Sequence, residues 1–426
     1  MASPSIAVRR RLLAALFFLV LPAHALDAST GPGPALGTRV AWAAPPEGAD
    51  AWTSTCSTRL PLCVQAAPRS LGQATLATLS STERAWDTLT GALGLPAPEA
   101  ALGGPWRIYL IDGVAGAGRA LPDGTDPRSR FDRASSFGLV DRRAAIGCSL
   151  DLASARAVAG GSLWRSAPAT DEGSASAETE YLAELATGCP AHDDDVAAFQ
   201  SRPEAALVDP TWPAFDRGAS LFFGWLDATF AARAGALVLG VWALAPTRTP
   251  WGSERWAAAP NGFDVLRASL RGRLGQGSTF DDVLVRFAVA RASLEPAPRA
   301  AWRIPWPSGA RRLAAPEPPA PTGASYVVVD HAGAPPGSRL RVEAQWEDYG
   351  RMRWVLVKRD ATGKALAELP VRSLDRGTNA SMTLEGLDGV ADVLIVGVDM
   401  GSTERTFDPT QAGWEPHGWL LTIGAE

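Results

Sequence analysis

Glu180 and Glu184 stand four residues apart in the run Glu178-Thr179-Glu180-Tyr181-Leu182-Ala183-Glu184. On a helix that spacing puts them on one face. A carboxylate pair of this kind can do general acid–base work or hold a metal. The competing reading is a solvated face opposite Tyr181, Leu182 and Leu185. His192 opens the run His192-Asp193-Asp194-Asp195, whose oxygens suit a hard cation. They suit equally well the acidic start of a helix at Val196, where aspartates cap free amides and meet the positive end of the helix dipole. Glu180, Glu184 and His192 are thus the candidates for chemistry, with no catalytic set assigned and no cofactor or metal expected.

The motifs that usually activate water or a nucleophile are missing. His-Glu-x-x-His would set two imidazoles one helical turn apart beside a glutamate, and the chain has no such run. Nor does it hold a Gly-x-Ser-x-Gly elbow or a phosphate-cradling Gly-Lys-Ser/Thr. Gly113, Gly116 and Gly118 lack the dinucleotide spacing and read as a flexible loop. The 16 tryptophans are many. Trp346 with Trp354, or Trp414 with Trp419, would make a sugar-stacking face on a β-sheet, unless they serve core and inter-domain packing.

The chain starts with the order of a secretory signal: Arg9-Arg10-Arg11, ten apolar residues from Leu12 to Leu21, Pro22, then Ala23-His24-Ala25. The apolar run is shorter than the roughly 20 residues a membrane-spanning helix needs. The 218–245 region is apolar but broken by Asp227 and Arg233, so no membrane span is expected after cleavage. An exported protein, periplasmic or extracellular, is the consequence. Formal charge is −5, and loss of the three signal arginines makes it more negative still, so nucleic acid is not an expected partner. A protein, peptide or glycan is. Lys358 and Lys364 are the lysines; the rest of the 40 basic Lys/Arg residues are arginine, the usage of a G+C-rich bacterial gene. Four cysteines in an oxidising compartment favour two disulfides. Cys56–Cys63 and Cys148–Cys189 are the preferred pairing among three.

These residues are positioned by an α+β chain in five parts. After the signal peptide (1–25) comes a Gly/Pro-rich extended leader (26–50) with little packing of its own. Residues 51–295 form a mixed strand/helix domain with a mostly helical second half. Its strands are expected near 60–66 and 106–111, with a helix over 71–93 whose apolar positions are Leu76, Leu79, Trp86, Leu89 and Leu93. Residues 113–133 read as a loop, and 136–149 as a hairpin around Arg142-Arg143. Helices are expected over 154–164, 175–187, 195–200, 218–233, 263–274 and 280–294. A proline-rich semi-rigid linker covers 296–324. About seven short strands separated by turn signals over 325–426 predict an antiparallel β-sandwich.

The order of segments in 58–295 resembles the gluzincin-type zinc metallopeptidase domain in degenerate form. The strand at 60–66, the helix at 71–93 and the strand at 106–111 match its opening. The helix at 154–164 then matches its zinc helix. Glu180-Tyr181-Leu182-Ala183-Glu184 is similar to the family's glutamate helix, and Arg217-Gly218-Ala219-Ser220-Leu221-Phe222 to the core helix that follows. Ala155-Arg156-Ala157-Val158-Ala159 supplies no histidine, so both zinc imidazoles and the catalytic glutamate have no counterpart. The resemblance implies a peptidase scaffold without its metal. Residues 325–426 look like the β-sandwich modules appended to secreted peptidases. Three activities follow as alternatives: binding by a non-catalytic scaffold, a hydrolase with an unrecognised site, or glycan binding by the sandwich.

Overall fold

A computed structural model describes residues 41–68, 72–101, 103–126, 129, 131–209, 212–245, 256, 262–271, 273–274, 278–371, 377–402 and 414–426. The expected signal peptide and most of the leader lie outside the described residues. The chain is α+β, as its patterning predicts.

The first sheet is built from β1 (Thr53–Cys56), β2 (Leu62–Ala66), β3 (Trp106–Ile111), β4 (Gly118–Thr125) and β5 (Ala134–Asp141), in the order β1-β2-β3-β5-β4. The strands β2, β3 and β5 are parallel, and β1 and β4 run antiparallel at the two edges. Alternation along β3 sorts its side chains. Trp106, Ile108 and Leu110 enter the main core beneath the helices. Tyr109 joins Phe137 and Leu139 on the opposite face, where Ala43, Ala49 and Trp52 cover them. The last ten residues of the expected leader are therefore packed against the domain, and Ala43 N–H donates to Pro122 O at 2.8 Å.

Four expectations change here. The loop over 113–133 contains β4. No hairpin forms over 136–149: β5 pairs β3 and β4, and Ala144–Gly147 turn directly into a helix. The first helix, α1 (Gly72–Trp86), leaves Leu76 at 60% exposure and buries Thr75, Thr78, Thr82 and Ala85 beside Trp86. Small residues win this face because the neighbouring α2 (Cys148–Ser166) comes close. The 296–324 segment is no spacer; it contributes two sandwich strands.

Helix α2 is buried on nearly every side, from Leu150 to Leu163. Its run of Ala and Gly lets β4 approach: a Cβ on Gly118 would lie 1.9 Å from Ala153 O, and one on Gly160 would lie 3.3 Å from the Ala120 backbone nitrogen. Helix α3 (Glu172–Thr187) is capped by Asp171, which accepts from Ser174 N, and closed by Gly188 at φ 68°. Both expected disulfides are formed; Cys148–Cys189 ties the start of α2 to the end of α3. Then come α4 (Asp193–Ser201), α5 (Pro213–Gly218), α6 (Ser220–Phe230), α7 (Ala236–Leu244), α8 (Gly262–Arg271) and α9 (Phe280–Arg291). None of the described helices is long and apolar enough to cross a membrane.

The C-terminal strands are β6 (Trp302–Ile304), β7 (Arg311–Ala314), β8 (Ala324–Asp330), β9 (Leu340–Trp346), β10 (Gly350–Arg359), β11 (Ala365–Val371), β12 (Asn379–Leu384), β13 (Asp392–Ser402) and β14 (Trp419–Ala425). They form two sheets, β11-β10-β13-β8-β6 and β12-β9-β14-β7. Val327, Val329, Leu356 and Ile395 face the second sheet. Tyr326, Val328, Val355, Val357 and Val396 face the helical core. A sheet buried on both faces requires unbroken apolar runs, which Tyr326-Val327-Val328-Val329 and Val393-Leu394-Ile395-Val396 provide. Polar contacts lock the junction. Tyr326 Oη donates to Ala288 O at 2.8 Å, and the buried Arg291 donates to Gln200 Oε1 at 2.9 Å.

The seam between β4 and α2 has no room for a methyl group. Gly118→Ala should lower stability by about 1–3 kcal/mol through overpacking. Urea denaturation would show a lower midpoint at unchanged slope; an unchanged midpoint would mean the seam is not tight.

Candidate functional site

Arg156 sits in the middle of α2, 4% exposed, among alanines. A charge there must be paired and hydrogen-bonded, because leaving it alone in a low-dielectric interior is far too costly. Glu180, 1% exposed on the facing α3, supplies the partner. Arg156 Nε and Nη2 donate to the two carboxylate oxygens, the second at 2.6 Å, in the two-pronged geometry that guanidinium and carboxylate share. Its Nη1 donates to the carbonyl of Gly116, in the turn before β4. One side chain thus joins α2, α3 and the edge of the sheet.

A second pair lies beside it. Arg217 on α5 donates to both oxygens of the buried Asp195 at 2.9 and 2.7 Å, and its side chain passes against Gly116. Glu184, one turn beyond Glu180, accepts from Ser220 Oγ at 2.8 Å. Burial pushes its carboxyl up to about 7, against the pull of Ser220. Glu178, on another face of α3, accepts from Trp242 Nε1 at 2.6 Å, and burial raises it to about 8. Asp216, next to Arg217, is 3% exposed and has one oxygen with no hydrogen-bond partner. Burial, then the charges of Asp209 and Glu172, push it up to about 8.

Above the two ion pairs lies a cleft of about 410 Å³. Its walls are the 115–121 stretch, the Gly160–Trp164 part of α2, the first half of α3 and Asp216-Arg217. The strand β4 is an edge strand. Asp141 N donates to Ala117 O, so the alternate residues Gly116, Gly118, Ala120 and Pro122 turn their peptide groups away from β5. Trp164 Nε1 donates to Ala120 O at 3.2 Å, and Ala43 N–H takes Pro122 O. Trp164 stacks near Trp256, and Trp256 near Trp42, with ring centroids 6.4 and 6.0 Å apart. The glycine turn is not a flexible loop: Gly113 and Val114 N–H both donate to Asp141 Oδ2, and Arg156 holds Gly116.

The structure therefore brings Glu180 and Glu184 to one buried face, where Arg156 and Ser220 bind them. The face is not solvated. Both oxygens of Glu180 are occupied, which leaves it no part as a base. His192 is exposed at the start of α4, with Asp193 and Asp194, while Asp195 points inward to Arg217. His331 Nδ1 lies 2.9 Å from Val390 O, and His417 Nδ1 lies 2.7 Å from Asp399 Oδ2 within the sandwich. Among the described residues, no group of three or more His, Cys, Asp or Glu is placed to hold a metal ion. The tryptophans proposed as a sugar platform are interior. Trp346, Trp354 and Trp419 are 8%, 3% and 4% exposed, and Trp354 packs edge-on against Trp419 at 5.6 Å. Trp414 packs against the helical core. Sequence reasoning passed over Arg156, Asp195, Asp216 and Arg217. The signal for Arg156 was a single charge inside an otherwise apolar stretch.

No protein-family model matches the chain, and no curated protein matches it. Among solved structures, the pre-peptidase C-terminal domain of a collagenase from Bacillus anthracis is similar at 10% identity and TM-score 0.19, over 31% of this chain and 100% of that one. A CBM4 structure matches at 14% identity and TM-score 0.17, over 28% and 84%. Chitosan-binding module 1 of a chitosanase/glucanase from Paenibacillus sp. IK-5 matches at 12% identity and TM-score 0.17, over 32% and 84%. Scores at this level assign no function.

Two outcomes test this site. Arg156→Met alone should cost about 3–5 kcal/mol by leaving Glu180 buried and unpaired, whereas Arg156→Met with Glu180→Leu should recover most of it. Equal losses in chemical denaturation would show that the pair is not the link. Glu184 holds its proton more tightly folded than unfolded, so stability should fall as pH rises from 4.5, its ordinary value, through about 7. Glu184→Gln should flatten the fall in thermal-melting midpoint across that window; an unaltered slope would refute the assignment.

Proposed function

We propose that the chain is an exported, non-catalytic binding protein on a peptidase-like scaffold, and that its cleft holds an extended peptide along the open edge of β4. The observation that carries this reading is the closed Arg156–Glu180 pair beneath that edge. The expected zinc helix is α2 and the expected glutamate helix is α3. The place where such a scaffold would gather metal ligands is filled by a guanidinium that occupies both oxygens of Glu180. A base and a bound ion are thereby replaced by a structural cross-link, while the wall that would align a substrate remains.

Peptide recognition at an edge strand needs outward-facing amide groups and room beside them. Gly118 and Ala120 supply the first, and the 410 Å³ cleft supplies the second. The contact of Ala43 with Pro122 shows one backbone already accepted at the far end of that edge. Export is supported by the signal-like order of residues 1–25 and by two formed disulfides.

A random library of nine-residue peptides incubated with the purified protein tests the reading. Captured peptides should be recovered uncut, and their binding should slow hydrogen exchange at the Gly118 and Ala120 amides. Turnover of the library would replace this reading with a hydrolase, and empty capture would remove it.

A further inference from the structure

Asp216 is the unexplained charge of the cleft. It lies on α5, lines the cavity and is 3% exposed, yet its Oδ1 is buried without a partner. Unpaired buried carboxylate oxygens are uncommon because each costs free energy that folding must offset elsewhere. The two cations beside it are committed: Arg217 grips Asp195 with both prongs, and Arg156 grips Glu180. The other charges around Asp216 are negative. Asp209, Glu172 and Asp171 all raise its carboxyl, and Arg217 offsets them only in part. Glu172, exposed at the first turn of α3, also lines the cleft. This end of the cavity therefore offers a strong negative potential and an open acceptor, with no counter-charge of its own.

We infer that Asp216, with Glu172 at the rim, receives a cationic side chain, lysine or arginine, of the peptide held along β4. The inference rests on the peptide-binding reading and gives it a substrate class. An ammonium or guanidinium arriving from the cleft would fill the open acceptor on Oδ1 and cancel the clustered negative charge. A neutral side chain would leave both uncompensated, and an acidic one would add to the repulsion. Arg119, which also lines the cleft, lies on β4 and leaves the α5 end without a resident cation.

Fluorescent nine-residue alanine-based peptides, each with one lysine, arginine, norleucine or glutamate, separate the possibilities by anisotropy on the full chain. Lysine and arginine peptides should bind at least tenfold tighter than norleucine peptides. Asp216→Asn should erase that preference while leaving norleucine binding unchanged. Asp216→Asn relieves a buried charge, so the variant should fold; Glu172→Gln, at the exposed rim, should reduce the preference in part. Equal binding of all four peptides would overturn the cation pocket and leave the peptide cleft standing. Binding of none would overturn both. Spermidine binding as tightly as the lysine peptide would identify a free amine as the ligand and overturn the peptide side chain.

Discussion

The fold around the cleft depends on one requirement: a guanidinium inside an alanine-rich helix must be neutralised where it lies. Arg156 is too deep to reach water, so the facing helix must bring Glu180 to it, and the glycine turn must bring a carbonyl. These three demands set the spacing of α2 from α3 and of both from β4. They explain why α2 is lined by Ala and Gly, since larger residues would hold the partners apart. They also explain why Gly116 and Gly118 sit where the chain turns into the edge strand. A buried ion pair of this kind adds little net stability, because desolvation consumes most of the attraction. What it adds is position, and position is what the cleft wall needs.

The electrostatics around the pair follow one logic. Glu180 and Asp195 have bidentate arginines. Glu178 and Glu184 have only neutral donors, Trp242 and Ser220, so burial raises them. Asp216 has an open oxygen as well. Carboxyl groups on neighbouring turns thus occupy a graded series, from fully paired to unsatisfied. The unsatisfied member opens to the cavity, while the paired members hold the scaffold.

Much of this was legible in the sequence. Both disulfides followed from four cysteines in an exported chain, and the C-terminal strands from alternation and turn residues. The shared face of Glu180 and Glu184 followed from helical spacing. What it touches did not, because the partner is Arg156, 24 residues away, and only tertiary packing joins them. The strand β4 was missed because Gly118, Pro122 and Gly124 are poor strand formers; pairing with β5 overrides propensity at an edge. The face of α1 was misassigned because leucine spacing was weighed above the closeness of α2, which only Ser, Thr and Ala allow. The 296–324 segment was read as a spacer because its prolines mask two short strands, β6 and β7, that complete the sandwich.

The sheet that carries β8, β10 and β13 is shared by two interiors. Its inner face closes the sandwich, and its outer face roofs the helical half through Tyr326, Val328, Val355 and Val396. The two halves are therefore unlike beads on a string. Severing the chain near residue 324 would strip a broad oily surface from each fragment, and the fragments would clump rather than behave as free modules. Evolution could exchange either half only by rewriting both sides of that shared wall together.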